Sequence, residues 1–290
     1  TSESAINSVA IGTNARSMGN NNVVIGAGAQ TTGDFYYSPY GVVWQDMNST
    51  VIGANAVVNR GMGTAVGYSA FVNGRSGAAV GYAATAVGQG STAVGGWLDW
   101  QAAFGAPAVS GPGNLLNPYG KAYAVSLGSS AYGGGAYAWG NYSTAIGAAA
   151  RAGDRDTEYN PAQPTSQFDS LDPTAIGGAT ALGFAASAQG RASVAIGNQS
   201  VAYNAEAVAI GSESVAYGLD SIAMGTNAVA TFHKSIAIGE NAFADGYTGT
   251  ANIAFGKDAR TGPGLGGQTS NAIALGTGAY ANEPAALAMG

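Results

Sequence analysis

The 290-residue chain contains no cysteine, a single histidine and few charged residues, which make up 9% of its composition. Without cysteine it can form neither disulfides nor thiolate metal sites. Its ten Lys and Arg residues are scattered and its net charge is −6, which disfavours nucleic acid or an anionic membrane as a partner. The sequence contains no signal peptide and no apolar run long enough to span a bilayer.

Glycine, by contrast, is abundant, with 47 residues, and it recurs at a fixed spacing. From Ser193 the chain reads SVAIGNQSVAYNAE, AVAIGSESVAYGLD, SIAMGTNAVATFHK and SIAIG. Gly197, Gly211, Gly225 and Gly239 are therefore 14 residues apart. A strict short period of this kind indicates stacked, identical structural units, which is typical of a solenoid and not of a globule.

Alternation within each unit predicts two strands, because residues i and i+2 of an extended strand share a face. In SVAIG one face is small (Ser193, Ala195, Gly197) and the other is branched and apolar (Val194, Ile196). The second half also has a small face, whereas its opposite face changes from unit to unit. We expect an all-β, parallel β-roll whose 14-residue coils hold two strands of about five residues and two tight turns, with both small faces inside.

The branched face of the first strand is predicted to need a partner. Stacked coils would expose an apolar stripe larger than a soluble monomer usually shows. A second copy of the chain can cover it, so we expect a homo-oligomer with its rolls side by side, although alternation does not set the number of copies. The residues predicted at this interface are Val9, Ile11, Val24, Val194, Ile196, Val208, Ile210, Ile222, Met224, Ile236 and Ile238.

Insertions interrupt the series of 14-residue repeats, but the repeats resume after each one. Residues 1–290 are therefore predicted to form one domain. Insertions are expected at about 33–48, 96–123, 154–173, 245–250 and 261–269. Solenoids tolerate insertions at turns because stacking continues above and below them. Since the chain begins and ends inside the repeat pattern, we expect it to be a piece of a longer protein.

The repeats SVAIG, STAIG, SIAIG and SIAMG, each followed by x-x-Ser/Ala-x-Ala, closely resemble the YadA-like head of trimeric autotransporter adhesins of Gram-negative bacteria. The resemblance covers the chain apart from its insertions. It implies a left-handed parallel β-roll, three chains about a common axis, and export through the outer membrane to the cell surface. It also implies adhesion to host extracellular matrix, host cells, abiotic surfaces or other bacteria, without direct membrane contact by this fragment.

Two surfaces are candidates for ligand binding. The first comprises aromatic residues of the insertions, which either form binding hot spots or fold back to cover the roll or a neighbouring chain. The second is the variable outer face of the second strand, which includes Arg16, Phe71, Val201, Val215, Phe243 and Tyr280 and either presents a ladder to a repetitive ligand or is ordinary β-surface. The ligand-binding candidates are Tyr36, Tyr37, Tyr40, Trp44, Trp97, Trp100, Phe104, Tyr203 and Tyr217.

No arrangement of residues predicts catalysis, a metal or a cofactor. His233 has no spaced partner and is expected on a surface turn. Asp154, Asp156 and Glu158 alternate like a calcium loop but lack its later Gly and Glu, which favours a solvated loop. The segment GPGLGGQT at 262–269 lacks the ending of a phosphate loop and is predicted to be a flexible turn.

Two other function classes fit less well than a non-catalytic adhesive module. Left-handed β-helix acyltransferases also carry an Ile/Val-Gly signature, but they repeat in sixes and use a catalytic histidine. An ice-binding roll would show a regular Thr ladder, whereas the outer positions here are mixed. Assays for acyltransferase activity and for ice recrystallisation separate these alternatives from the adhesin.

Overall fold

A computed structural model describes residues 7–33, 35–38, 41–44, 47–96, 120–153, 177–245, 251–262 and 271–290. The chain divides into two compact units, the first comprising Thr1–Ala149 with Gln163–Leu171 and the second Ala150–Ala162 with Asp172–Gly290. Throughout the described ranges the regular structure is β, with no helix, and hence no helix long and apolar enough to cross a membrane. The all-β prediction is confirmed.

Two parallel sheets wind through the first unit, one of three-residue strands and one of two-residue strands. The three-residue strands are Val9–Ile11 (β1), Val23–Ile25 (β2), Thr50–Ile52 (β6), Thr64–Val66 (β8), Ala78–Val80 (β10), Thr92–Val94 (β12), Ser130–Tyr132 (β14) and Thr144–Ile146 (β16). The two-residue strands are Gln30–Thr31 (β3), Val57–Val58 (β7), Phe71–Val72 (β9), Thr85–Ala86 (β11), Tyr123–Ala124 (β13) and Tyr137–Ala138 (β15).

The first insertion contains an antiparallel hairpin. Its strands are Phe35–Ser38 (β4) and Gly41–Trp44 (β5), and Phe35 pairs with Trp44 across it. The second insertion ends earlier than predicted, because Tyr123, placed at its boundary, already lies in β13 and pairs with Thr85.

The second unit repeats the same architecture. Its three-residue strands are Thr180–Leu182 (β18), Val194–Ile196 (β20), Val208–Ile210 (β22), Ile222–Met224 (β24), Ile236–Ile238 (β26), Ile253–Phe255 (β28), Ile273–Leu275 (β30) and Leu287–Met289 (β32). Its two-residue strands are Arg151–Ala152 (β17), Ser187–Ala188 (β19), Val201–Ala202 (β21), Val215–Ala216 (β23), Val229–Ala230 (β25), Phe243–Ala244 (β27), Arg260–Thr261 (β29) and Tyr280–Ala281 (β31). Equivalent residues of successive coils are partners, as Val194 is with Val208.

The strands are shorter than the predicted five residues because turns occupy the rest of each coil. In the coil that begins at Ser193, Gln199 and Glu206 both adopt positive φ, at 55° and 59°. The turns nevertheless stack through backbone hydrogen bonds, such as that from the Gln199 N–H to the Phe184 carbonyl at 2.8 Å. Backbone pairing therefore continues around the coil beyond the short strands.

Small side chains fill the interior, as predicted. Ser193, Ala195, Ser200 and Ala202 are fully buried, and the same positions are occupied mostly by Ala and Ser in neighbouring coils. Each such side chain faces the opposite sheet of a thin roll. A larger one fits only where a neighbouring position is reduced, as Gly63 is beside the buried Val58, and would otherwise force the sheets apart.

Two buried asparagines replace turn hydrogen bonds where insertions interrupt the coil. In a regular coil the Ser221 N–H donates to the Gly218 carbonyl. After the first insertion the equivalent Ser49 N–H donates instead to Asn22 Oδ1, at 3.1 Å. Ala272 likewise donates to Asn252 Oδ1, at 2.9 Å. A buried side-chain amide thus accepts the N–H at two of the interruptions.

Candidate functional site

The outer face of the three-residue strands carries the predicted apolar stripe. In each of these strands the middle residue points inward, and the first and third point outward. In the first unit, Val9 and Ile11 are exposed. In the second unit Met224 is exposed, while Val194, Ile196, Val208, Ile210, Ile222, Ile236 and Ile238 are half-buried. These ten predicted residues lie on the outer face of a single chain.

The prediction that Val24 lies at the interface is wrong. It is 0% exposed and is the register partner of Ala10, so it fills the interior of the roll. Its neighbours Val23 and Ile25 are exposed instead. In NVVIG both central residues are valine, and alternation counted back from Gly26 identifies Val23 and Ile25 as the outer pair.

Other outer positions were not among the predicted interface residues, although the same alternation identifies them. All are apolar, large and exposed on three-residue strands. They are Ile52, Val80 and Ile146 in the first unit, and Leu182, Phe255, Leu275, Leu287 and Met289 in the second. The apolar face therefore recurs in coil after coil within each unit.

The outer face of the two-residue strands carries Tyr203 and Tyr217, two of the predicted ligand-binding residues. Their rings are stacked, with centroids 4.5 Å apart and an interplanar angle of 6°. Burial raises the pKa of Tyr217 above its usual value, and the charge and hydrogen bonding of the neighbouring Tyr203 raise it further. The structure thus brings these two residues together on the surface that the sequence assigned to them.

An aromatic cluster in the first unit was missed by sequence reasoning. Tyr123 and Tyr137 stack with centroids 5.4 Å apart, and Trp139 lies tilted against Tyr137 at 5.5 Å. Lys121 Nζ lies 5.2 Å from the Tyr123 ring centroid, and burial lowers the pKa of this lysine. The 14-residue spacing of Tyr123 and Tyr137 was a sufficient signal, because equal positions on adjacent coils are neighbours.

Two further contacts place aromatic side chains on outer surfaces. Tyr68 and Tyr82 stack at a turn edge of the first unit, with centroids 5.2 Å apart and both rings exposed. In the second unit the Arg260 guanidinium lies 6.0 Å from the Phe243 ring centroid, and Arg260 pairs in register with the exposed Tyr280. Phe243 and Tyr280 lie on the second candidate surface, whereas Tyr68, Tyr82 and Arg260 were not predicted to bind a ligand.

The insertion aromatics are only partly placed. Tyr36 and Tyr37 lie in β4 and Trp44 lies in β5 of the hairpin. Tyr40, Trp97, Trp100 and Phe104 lie outside the described residues, as do Asp154, Asp156 and Glu158. Their roles therefore stay predictions.

His233 lies on a turn, exposed, as predicted. Its Nδ1 accepts the Leu219 N–H at 3.2 Å, which continues the stacking of the turns. Within the described ranges there is no group of three or more His, Cys, Asp or Glu residues that could hold a metal ion. The ion pairs there, such as Arg191 with Glu206 at 3.3 Å, are exposed.

A family model described as YadA head domain repeat, two copies, matches several parts of the chain. The matched residues are 73–96, 124–150, 177–200, 188–214, 202–228, 216–242, 233–252 and 270–290. Together they cover slightly more than half of the sequence and include coils of both units. Among curated proteins, none matches the chain.

Proposed function

Because this chain belongs to the YadA head family, an adhesin family, we propose that it is the head of a trimeric bacterial surface adhesin. Its general role is adhesive, and that family is non-enzymatic. In the finer proposal, three chains wind left-handed and side by side, outside the outer membrane of a Gram-negative cell. Residues 1–290 then act as one head domain whose insertions project from the roll.

The observation that carries this proposal is the periodic apolar face of the three-residue strands. In the second unit its outer rows consist of Val, Ile, Leu, Met, Phe and a single Thr, with no charged residue. Burying the remaining exposed area of one such side chain contributes on the order of 1 kcal/mol. Two of them recur in all but one coil of the second unit. In the first unit Thr, Ala or Ser takes the first outer position of most strands, and the third position still carries Ile, Val or Tyr. The sum over either unit is therefore large enough to hold chains together.

A second copy of the chain is the partner that fits this face. The outer side chains repeat with the coil, and a copy presents the same repeat at the same spacing. Rows of branched side chains from two copies can therefore interlock along their whole length, which an unrelated globular surface cannot do. The number three rests on the family and not on this geometry.

Attachment is proposed to use the surfaces that such packing leaves free. These are the outer face of the two-residue strands, with Tyr203 and Tyr217, and the insertions, with Tyr36, Tyr37 and Trp44 among the described strands. Three copies would present each of them three times, so that weak contacts add up to firm attachment. The proposed targets are host matrix proteins, host cells, abiotic surfaces or other bacteria.

Light scattering tests the assembly with two matched substitutions. Ile210 and Val215 are both half-buried apolar residues on outer faces, but they belong to opposite sheets. The wild-type chain is expected to have the mass of a trimer. Ile210→Asp should dissociate or unfold it, whereas Val215→Asp should leave the mass unchanged. A stable wild-type monomer, or an intact trimer of Ile210→Asp, would overturn the proposed interface.

Adhesion is tested separately with beads that carry the purified chain. Retention under flow is measured on matrix protein, cultured cells, bare plastic and a layer of the chain itself. Firm retention on at least one surface is expected for wild type, with a large loss for Tyr217→Ala if that face binds the target. Retention no better than that of uncoated beads on every surface would contradict the adhesive role.

A further inference from the structure

Tyrosine pairs on adjacent coils recur on the surface of the protein. Tyr203 and Tyr217 have ring centroids 4.5 Å apart and an interplanar angle of 6°. Tyr68 stacks on Tyr82 at 5.2 Å with an interplanar angle of 17°. The adhesive and assembly roles require no such pairing of phenols.

The backbone holds Tyr203 and Tyr217 in this position. The Tyr203 N–H donates to the Ala216 carbonyl at 2.9 Å, and the Tyr217 N–H donates to the Ala230 carbonyl at 2.8 Å. Each tyrosine follows a buried alanine of β21 or β23, which directs its ring outward. The pair is therefore presented together, with Tyr217 44% exposed.

We propose that Tyr203 and Tyr217 are a site of oxidative cross-linking, at which a haem peroxidase with hydrogen peroxide joins the two coils through dityrosine. The oxidant removes one hydrogen atom from each phenol. The two phenoxyl radicals form a carbon–carbon bond between ortho carbons, and the ortho hydrogens then move to the oxygens. Two tyrosines and one hydrogen peroxide thus give one dityrosine and two waters.

Geometry favours coupling within this pair over other reactions of its radicals. The register positions on the flanking coils are Gln189 and Thr231, so each ring of the pair has one phenol beside it along the sheet. Coupling requires the parallel rings to tilt towards each other, and their solvent-facing edges leave room for this. The product is a covalent bridge across a backbone pairing that already exists, so the fold need not rearrange.

Peptide mapping reads the cross-link directly. Trypsin releases 192–234, which contains no tyrosine besides Tyr203 and Tyr217. Cleavage after Glu206 and Glu213 then separates the two tyrosines into different fragments. The dilute native chain is treated with horseradish peroxidase and hydrogen peroxide, and its monomer band from a denaturing gel is digested. The two fragments should stay joined, with a mass two hydrogens below their sum.

Three controls distinguish pairing from exposure. Tyr142 is 63% exposed and lies against Gly128 of the adjacent coil, not against a tyrosine. If exposure alone decided which tyrosines are oxidised, Tyr142 would react first. The fragments that contain Tyr203 and Tyr217 would then separate on digestion, and that result would overturn the proposal. Tyr217→Phe keeps the ring stack but should abolish the linked fragments, and unfolding wild type in urea before oxidation should reduce their yield severalfold. An equal yield from unfolded chain would also overturn it.

Discussion

The backbone of Gly197 lies so close to that of Gly211 on the next coil that a Cβ atom on Gly197 would be 2.6 Å from the Gly211 carbonyl carbon. Gly197 has a φ of 132°, which side-chain-bearing residues rarely adopt. The same relation joins Gly211 to Gly225 and Gly225 to Gly239. The glycine column that reveals the repeat in the sequence is therefore a column of close backbone contacts at the turn after each three-residue strand.

Replacing one glycine of this column should destabilise the coil strongly. Gly211→Ala adds a Cβ 2.6 Å from the Gly225 carbonyl carbon and also strains φ, so we expect a loss of about 3 kcal/mol or more in the free energy of unfolding. Urea denaturation followed by circular dichroism measures it.

Gly278→Ala is the matched control for that prediction. Gly278 also has positive φ, at 69°, but a Cβ there would meet nothing within 4 Å. The free energy of unfolding of Gly278→Ala should therefore fall only by the cost of the backbone strain, about 1 kcal/mol. Equal losses for the two variants would show that the close contact between coils contributes nothing.

The interior should reject a larger side chain. Ala209 is fully buried between the sheets, whereas Ile210 beside it faces outward. Ala209→Leu should destabilise by about 3 kcal/mol, because overpacking a thin interior pushes the sheets apart. Ile210→Leu, a volume-conserving change on the outer face, should cost less than about 1.5 kcal/mol. Urea midpoints of both variants measure the difference, and a stable Ala209→Leu would contradict the packed interior.

Alternation predicted the interior and the two outer faces because strand geometry leaves no other choice for Ser193, Val194 and Ala195. The error at Val24 arose from two adjacent valines, where composition does not show which one points inward. Alternation does, if it is counted from Gly26. Strand length was overestimated because turn residues such as Gln199 and Glu206 carry no mark in the sequence that shows their positive φ.

Contacts between coils were predictable in principle where residues recur at the repeat spacing. The stacking of Tyr203 on Tyr217 follows from that spacing, as does that of Tyr123 on Tyr137. The hydrogen bond from Ser49 to Asn22 does not, since it spans an insertion of arbitrary length. Only the three-dimensional register shows that Asn22 lies beneath Ser49.

The buried asparagines are expected to be required for the coils that follow insertions. Asn22→Ala would leave the Ser49 N–H without its acceptor, whereas the Met18 and Gly19 carbonyls would lose the Asn22 amide but keep the hydroxyls of Thr31 and Ser8 as donors. We expect a loss of about 2–3 kcal/mol in the free energy of unfolding. Asn198→Ala, at an exposed turn, should cost less than about 0.5 kcal/mol. Hydrogen exchange at Ser49 should rise in the first variant alone; unchanged protection there would contradict this role.

Stability should fall at alkaline pH through Tyr217. Its pKa is raised in the folded chain from the usual value of 10.0, first by burial and then by Tyr203. The folded state therefore favours the neutral phenol, and the unfolded state loses its proton at lower pH. This contribution is fully present below pH about 10 and is lost as pH rises through the folded pKa. The contribution of Lys121 to stability changes with pH in the opposite direction. Burial lowers the pKa of this lysine, so its contribution rises as pH increases through the folded pKa. Urea midpoints between pH about 8 and 11 should fall less steeply for Tyr217→Phe than for wild type, and parallel curves would refute the shift.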